Sequence, residues 1–132
     1  MDVKTVNGLV ASVIIVALCV LAGCESETTQ HQRKVRSEAR AGLLRLAIEQ
    51  ERFYIRHGTY SNDMTELRFE SDPFVTKSGY YSIDIEPGAD ANDFVGIATS
   101  RLNEVATGNC TTLRIDGRGN RTSAPSATCW TD

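Results

Sequence analysis

The four cysteines are the residues of this 132-residue chain whose spacing bears most directly on chemistry. Cys19 and Cys24 lie in or beside an apolar N-terminal run, and Cys110 and Cys129 lie near the end of the chain. A cysteine thiolate can bind a metal, form a disulfide or react with a modifying group. Because the chain has no Cys-x-x-Cys motif and only two histidines, far apart, the pattern predicts no zinc site.

The remaining polar residues form no catalytic arrangement. No motif places a serine nucleophile beside a histidine base. Gly117 and Gly119 fit a hairpin turn better than a phosphate-binding loop. Asp84, Asp90 and Asp93 lack the spacing of a calcium loop. We therefore expect a protein that is not an enzyme and that has no cofactor, no metal and no small-molecule substrate. The net charge of −3 also argues against general nucleic-acid binding.

The N-terminal run has the properties of a targeting segment. Residues 9–22 are almost wholly apolar, and these 14 residues fall short of the roughly 20 that a membrane-spanning helix needs. They fit the apolar region of a signal peptide instead. The following Leu21-Ala22-Gly23-Cys24 resembles the lipobox of bacterial lipoproteins. That resemblance implies cleavage before Cys24 and attachment of a diacylglyceryl group to its thiol.

A second interpretation of the same segment is prepilin processing. Asn7-Gly8 before an apolar run resembles a prepilin cleavage site, so the mature chain would begin at Leu9. Prepilins usually begin with phenylalanine and carry glutamate at the fifth mature position, which here is Val13. Their apolar helix also runs several residues further. These departures favour lipidation, with processing after Gly8 as the alternative.

The mature chain begins with a polar segment and continues with helical spacing. Residues 24–34 show no apolar period and are interpreted as a tether. A helix is predicted over about 35–57, with Gly58 as its C-cap. Its apolar stripe contains Val35, Ala39, Leu43, Leu46, Ala47 and Tyr54, and is widened by Leu44, Ile48 and Ile55.

The rest of the chain favours antiparallel strands. Tyr81, Ile83 and Ile85 alternate with polar residues, as in a half-buried strand. Strands are predicted at 80–86, 94–101 and 111–116, with less regular ones from Arg121 and near Cys129-Trp130, and 71–79 is predicted to be a loop. A helix followed by strands indicates an α+β fold with the helix on the sheet.

The ordered segments resemble type IV minor pilins, a family that includes DNA-uptake pilins. The segments that carry the resemblance are 39–54, Gly58-Thr59-Tyr60, 79–83, and 110–119 with Cys129-Trp130, so that it covers roughly residues 33–130. It implies a pilin-like α+β domain, in which one N-terminal helix packs on a four-stranded antiparallel sheet with a C-terminal disulfide-bounded hairpin. The lipobox in place of the long assembly helix is a departure from the family.

Two predictions concern the C-terminal region. Export permits oxidation, and no other ligand competes for Cys110 and Cys129, so we expect them to form the disulfide that the resemblance implies. Between them lie Arg114, Arg118 and Arg121. In DNA-uptake pilins this region contributes to a basic DNA-binding surface, so these arginines are the candidate DNA-binding residues, although solvated arginines on a hairpin are the simpler interpretation.

The sequence thus predicts a lipoprotein-type signal peptide at 1–23, a polar tether at 24–34 and a pilin-like globular domain at 35–132. The expected protein is lipid-anchored in the bacterial envelope and faces the periplasm or the exterior. It would act as an accessory or minor component of a type IV pilus or related secretion system, by protein–protein interaction. The alternatives are a DNA-binding receptor in DNA uptake and an ordinary minor pilin processed after Gly8.

Overall fold

A computed structural model describes residues 26–87 and 92–131, in which one long helix precedes all the strands of the sheet. Helix α1 spans Glu27–His57. Ser26 caps its N-terminus, because its hydroxyl accepts a hydrogen bond from the Thr29 amide at 3.4 Å. At the other end Gly58 adopts φ 71°, and its amide donates to the Tyr54 carbonyl, which confirms the predicted C-cap.

The start of α1 differs from the prediction. The helix begins at Glu27 and not at about residue 35, so residues 27–34 of the predicted tether are helical. The sequence from Glu27 to Ala41 contains no glycine or proline, so nothing in it interrupts a helix that Ser26 has capped. The first turns of α1 are polar, so the apolar period begins later in the chain than the helix does. Among the described residues, no helix is both long and apolar enough to cross a membrane.

Five antiparallel strands form a sheet in simple chain order. They are β1 (Phe74–Val75), β2 (Tyr81–Pro87), β3 (Phe94–Ser100), β4 (Cys110–Asp116) and β5 (Arg121–Pro125), and the short helix α2 (Glu104–Thr107) joins β3 to β4. The α+β pilin-like fold is confirmed, but the sheet has five strands instead of four. β1 lies in the predicted loop, because two residues are too few to show a strand period. Cys129 and Trp130 lie in a turn and not in a strand.

The core lies between α1 and one face of the sheet. Leu43 and Leu46 of α1 are fully buried, as are Ile83 and Leu113 of the sheet. The two layers approach closely at Gly42, where an added Cβ would lie 2.1 Å from the Ile83 side chain. A side chain at position 42 would therefore require the terminal methyl group of Ile83 to move.

Candidate functional site

The C-terminal region is closed by a disulfide between Cys110 and Cys129, as predicted. The two Cα atoms are 5.8 Å apart, and both cysteines are buried. Cys110 begins β4, and Cys129 lies in the turn that follows β5. The Tyr81 hydroxyl donates to the Cys110 carbonyl, which links the bridge to β2. The bridge therefore holds the end of the chain against the centre of the sheet.

The turn between β4 and β5 is organised by the carboxylate of Asp116. Its Oδ1 accepts hydrogen bonds from the amides of Arg118 at 3.0 Å and Asn120 at 2.8 Å, and its Oδ2 accepts one from Asn120 Nδ2 at 2.8 Å. The side-chain hydrogen bond from Asn120 is the largest cause that holds the pKa of Asp116 below its usual value. The turn that carries Arg118 is thus fixed by a charged acceptor.

Aromatic and acidic groups support this turn from the helix side. Asp93 Oδ1 accepts from the Gly117 amide at 3.1 Å. The ring of Tyr60 lies 5.0 Å from that of Phe94, and the Tyr60 hydroxyl donates to Glu51 Oε1 at 2.9 Å. Burial, with this hydrogen bond, raises the pKa of Tyr60 to about 12. Tyr60 is therefore a neutral packing residue at neutral pH.

The three candidate arginines do not share one face of the sheet. Arg121 pairs in register with Ile115, whereas Arg114 pairs with Thr122. Residues directly opposite each other project on the same side, and successive residues project on opposite sides. Because Ile115 is in the core, Arg121 lies on the helix side of the sheet and Arg114 on its outer side.

Each of these arginines also has its own surroundings. Arg114 makes two hydrogen bonds of 3.2 Å to the Glu86 carboxylate. The Arg121 guanidinium lies 5.3 Å from the centre of the Trp130 ring. Arg118 is exposed in the turn. The hairpin carries three cations, but Glu86 offsets Arg114, and the register places Arg114 and Arg121 on opposite faces of the sheet.

The structure shows a second surface that the sequence interpretation assigned wrongly. Leu44, Ile48 and Ile55 were predicted to widen the buried stripe of α1, but they are 37%, 53% and 82% exposed. At 3.6 residues per turn they lie within about 40° of each other around the helix axis. We call these three residues the outer stripe. The sheet covers the face that carries Leu43 and Leu46, and the outer stripe lies away from that face, with Ile48 also lining a shallow surface pocket beside Phe94 and Arg118.

The described residues offer binding surfaces on the hairpin and on α1. Within 26–87 and 92–131, no group of three or more histidine, cysteine or acidic residues could hold a metal. The predicted lipidation residue, Cys24, lies outside the described residues.

A helix packed on an antiparallel meander with a disulfide-closed C-terminal region defines a pilin head. A family model described as type IV minor pilin ComP, DNA uptake sequence receptor, matches residues 28–114. This match covers more than half of the chain, and the chain therefore belongs to this family of type IV minor pilins. Type IV pilins are proteins of the cell envelope that interact with the pilus machinery.

Solved structures show the same fold. A type IV pilin from Shewanella oneidensis is 28% identical, with a TM-score of 0.55 over 76% of this chain and 99% of that one. The non-core minor pilin PilV of Neisseria meningitidis is 23% identical, with a TM-score of 0.52 over 73% of this chain and 90% of that one. A comparison with curated protein sequences finds no match.

Proposed function

We propose that this minor pilin is a non-catalytic accessory component of a type IV pilus or related secretion system that binds its protein partners through the outer stripe. The observation that carries this proposal is the exposure of Leu44, Ile48 and Ile55 on the face of α1 that the sheet leaves uncovered. Exposed apolar side chains that share one face mark interaction surfaces more often than isolated ones do.

The test replaces apolar contact by charge. Ile48→Lys should remove this chain from purified pili or from a complex with purified pilus proteins, while its expression and its disulfide stay unchanged. Ala127→Lys is the matched control, because it adds the same charge at an exposed position in the terminal turn. Equal retention of both variants in the complex would contradict the proposal.

We further propose that the domain is lipid-anchored through Cys24 in the cell envelope. The support is the agreement between the lipobox-like Leu21-Ala22-Gly23-Cys24 and the apolar run that precedes it. The alternative is processing after Gly8, which would retain residues 9–22 as part of a pilin helix. A mass spectrum of the native protein distinguishes the two N-termini.

DNA binding is the second candidate function, and the description of the matching family favours it. Phosphate contacts would come from Arg114, Arg118 and Arg121, with an affinity that falls steeply as salt rises. The pairing of Arg114 with Glu86 and the separation of Arg114 from Arg121 lead us to expect weak binding at most. Replacing all three arginines with alanine tests the location. Submicromolar binding at physiological salt that survives this triple substitution would place DNA on another surface.

A further inference from the structure

One end of the head domain carries two exposed apolar side chains in the connection between β3 and β4. Leu102 is 50% exposed, and Val105 of α2 is 73% exposed. Both lie in a loop whose helical turn is capped by Asn103, because the Asn103 side chain accepts a hydrogen bond from the Ala106 amide at 3.0 Å. The loop therefore presents these side chains from a defined backbone.

Hydrogen bonds fix this loop to the N-terminal part of α1. Gln32 Nε2 donates to the Val105 carbonyl at 2.7 Å, and Arg36 Nη1 donates to the Thr107 carbonyl at 3.3 Å. The two apolar side chains are thus held at the end of the domain where α1 enters it. Ile55, another exposed apolar residue, lies 23 residues further along α1 than Gln32, or about 35 Å away.

Exposed basic residues adjoin these segments along the chain, since Arg101 precedes Leu102 and Lys34 lies two residues after Gln32 on α1. Arg101 Nη1 donates to the Gly79 carbonyl at 3.3 Å. The Gly79 amide donates in turn to the Thr76 carbonyl, which closes the turn that contains Lys77. Lys34 and Lys77 both lie near Glu38. We call Leu102, Val105, Lys34, Lys77 and Arg101 together the base surface. The Glu38 carboxylate offsets part of the positive charge of Lys34 and Lys77.

The length of the chain keeps the base surface close to the membrane. Eight residues separate Gln32 from Cys24, and eight residues span at most about 28 Å even when fully extended. For the retained apolar run at 9–22 the bound is about 35 Å, because ten residues separate Gln32 from Ala22. Either anchor therefore leaves this end of the head within reach of lipid headgroups.

We propose that the base surface rests on the bilayer, with Leu102 and Val105 inserted at the headgroup boundary and the cations against anionic lipid. Apolar side chains flanked by Lys and Arg are the combination that binds such a boundary, and anionic headgroups attract basic residues within a Debye length. This inference rests on the membrane attachment in the proposed function, but not on the choice between the two anchors. It assigns the loop between β3 and β4 a role in orienting the head.

The test uses full-length protein reconstituted in vesicles of phosphatidylethanolamine and phosphatidylglycerol that contain brominated lipid, which quenches tryptophan on contact. Val105→Trp is compared with Ile55→Trp, an equally apolar substitution at the far end of α1. Trp130 is the only native tryptophan, so its contribution is measured on the unsubstituted protein. We expect loss of the added fluorescence for Val105→Trp and no loss for Ile55→Trp. Vesicles of neutral phosphatidylcholine should reduce the quenching of Val105→Trp.

The opposite result is equal quenching of the two variants, and it would overturn the proposal. If the base surface bound a protein partner and not lipid, Val105→Trp would stay unquenched in these vesicles, and that result would also overturn the proposal. Quenching that is the same in neutral and anionic vesicles would overturn the role of the cations. A mass spectrum of the same sample separates this inference from the lipid anchor, since a lipidated but unquenched protein contradicts only the inference, and a quenched but unlipidated protein contradicts only the anchor.

Discussion

At the scale of single residues, charged side chains in the C-terminal region act mainly on their own neighbours. Asp116 accepts three hydrogen bonds within the β4–β5 turn, and Arg114 is paired with Glu86. The Asp116 bonds fix the backbone of the turn, whereas Arg114 reaches across β3 to Glu86 of β2, and both arrangements lower the charge that is available to a ligand. The hydrogen bonds to Asp116 therefore make the turn rigid, and Arg118 is an exposed cation within it.

Removing the Asp116 carboxylate should destabilise the protein in a pH-dependent way. Asp116→Ala should cost about 1–2 kcal/mol at pH 7, because three turn donors lose a charged acceptor. The folded-state pKa of Asp116 is lowered, so its contribution is present above the unfolded pKa of about 3.9 and is lost as the pH falls through the folded value. Urea unfolding at neutral and acid pH measures this difference.

The matched control is Glu70→Ala. Glu70 is largely exposed, and it lies 3.9 Å from Arg45. This substitution should cost less than about 0.5 kcal/mol at pH 7, as expected of an exposed ion pair. A cost for Asp116→Ala that stayed constant from neutral to acid pH would show that the carboxylate charge has no part in holding the turn.

At the scale of elements, α1 is the part of the molecule with two separate roles. Leu43 and Leu46 pack on the sheet, whereas Leu44, Ile48 and Ile55 are exposed on the other side. Close packing on the inner face depends on Gly42, which lies against the fully buried Ile83. A helix packed so closely on one side cannot turn its outer stripe toward the sheet.

Gly42→Ala should reveal this close contact by the sign of its effect. Alanine is favoured over glycine in a helix by about 1 kcal/mol, but overpacking a buried contact costs about 1–3 kcal/mol, so we expect a net loss of stability. Ile83→Val removes the methyl group that the new Cβ would meet. In that background Gly42→Ala should become stabilising. A destabilisation of the same size in both backgrounds, measured by urea unfolding, would mean that Ile83 is not the obstacle.

Removing the disulfide should weaken the attachment of the terminal turn to β4. The bridge closes a loop with a sequence separation of 19 residues. In the chain-entropy model such a loop contributes roughly 3 kcal/mol to stability. Replacing Cys110 and Cys129 together by serine should therefore lower the free energy of unfolding by about that amount. Reductant should destabilise the native protein similarly and leave the double variant unchanged. A native protein unaffected by reductant, with its thiols shown to be free, would contradict this role.

At the scale of the whole molecule, the function depends on how the pilin head is held at the envelope. A head attached by a short segment can meet a pilus only with the surfaces that the attachment leaves free. The outer stripe and the base surface occupy different parts of the domain, so one can bind protein while the other rests on lipid. The proposed lipid anchor would therefore separate an accessory protein from a filament subunit.

Under the proposed lipid anchor, Cys24→Ser should leave the precursor unlipidated and mislocalised, because the acyl chains would attach to the Cys24 thiol. Acyl chains contribute about 0.8 kcal/mol per buried methylene, which is enough to hold the domain firmly when two or three are present. Membrane fractionation with mass spectrometry measures both effects, and Cys19→Ser is the control. Val13→Glu alone should do little to restore filament assembly. Purified pili that contain the chain with Leu9 as its N-terminus would identify it as an ordinary minor pilin.

The local features of the fold could be predicted from the sequence because each depends on neighbours along the chain. The alternation of Tyr81, Ile83 and Ile85 predicts β2, and Gly58 marks the end of α1. The cysteine pair near the C-terminus predicts the disulfide once export is inferred. A strand period or a helix cap is set by backbone geometry within a few residues, so it leaves a direct pattern in the sequence.

Only the tertiary structure decided which surfaces are exposed. The period of α1 made Leu44, Ile48 and Ile55 look like core residues, but a single sheet covers just one side of a helix. The spacing of Arg114 and Arg121 suggested one basic surface, but the β4–β5 register places them on opposite faces. Exposure and register are fixed by contacts between segments that are distant in the sequence. Local patterns therefore determined the elements, and long-range packing determined what those elements present to a partner.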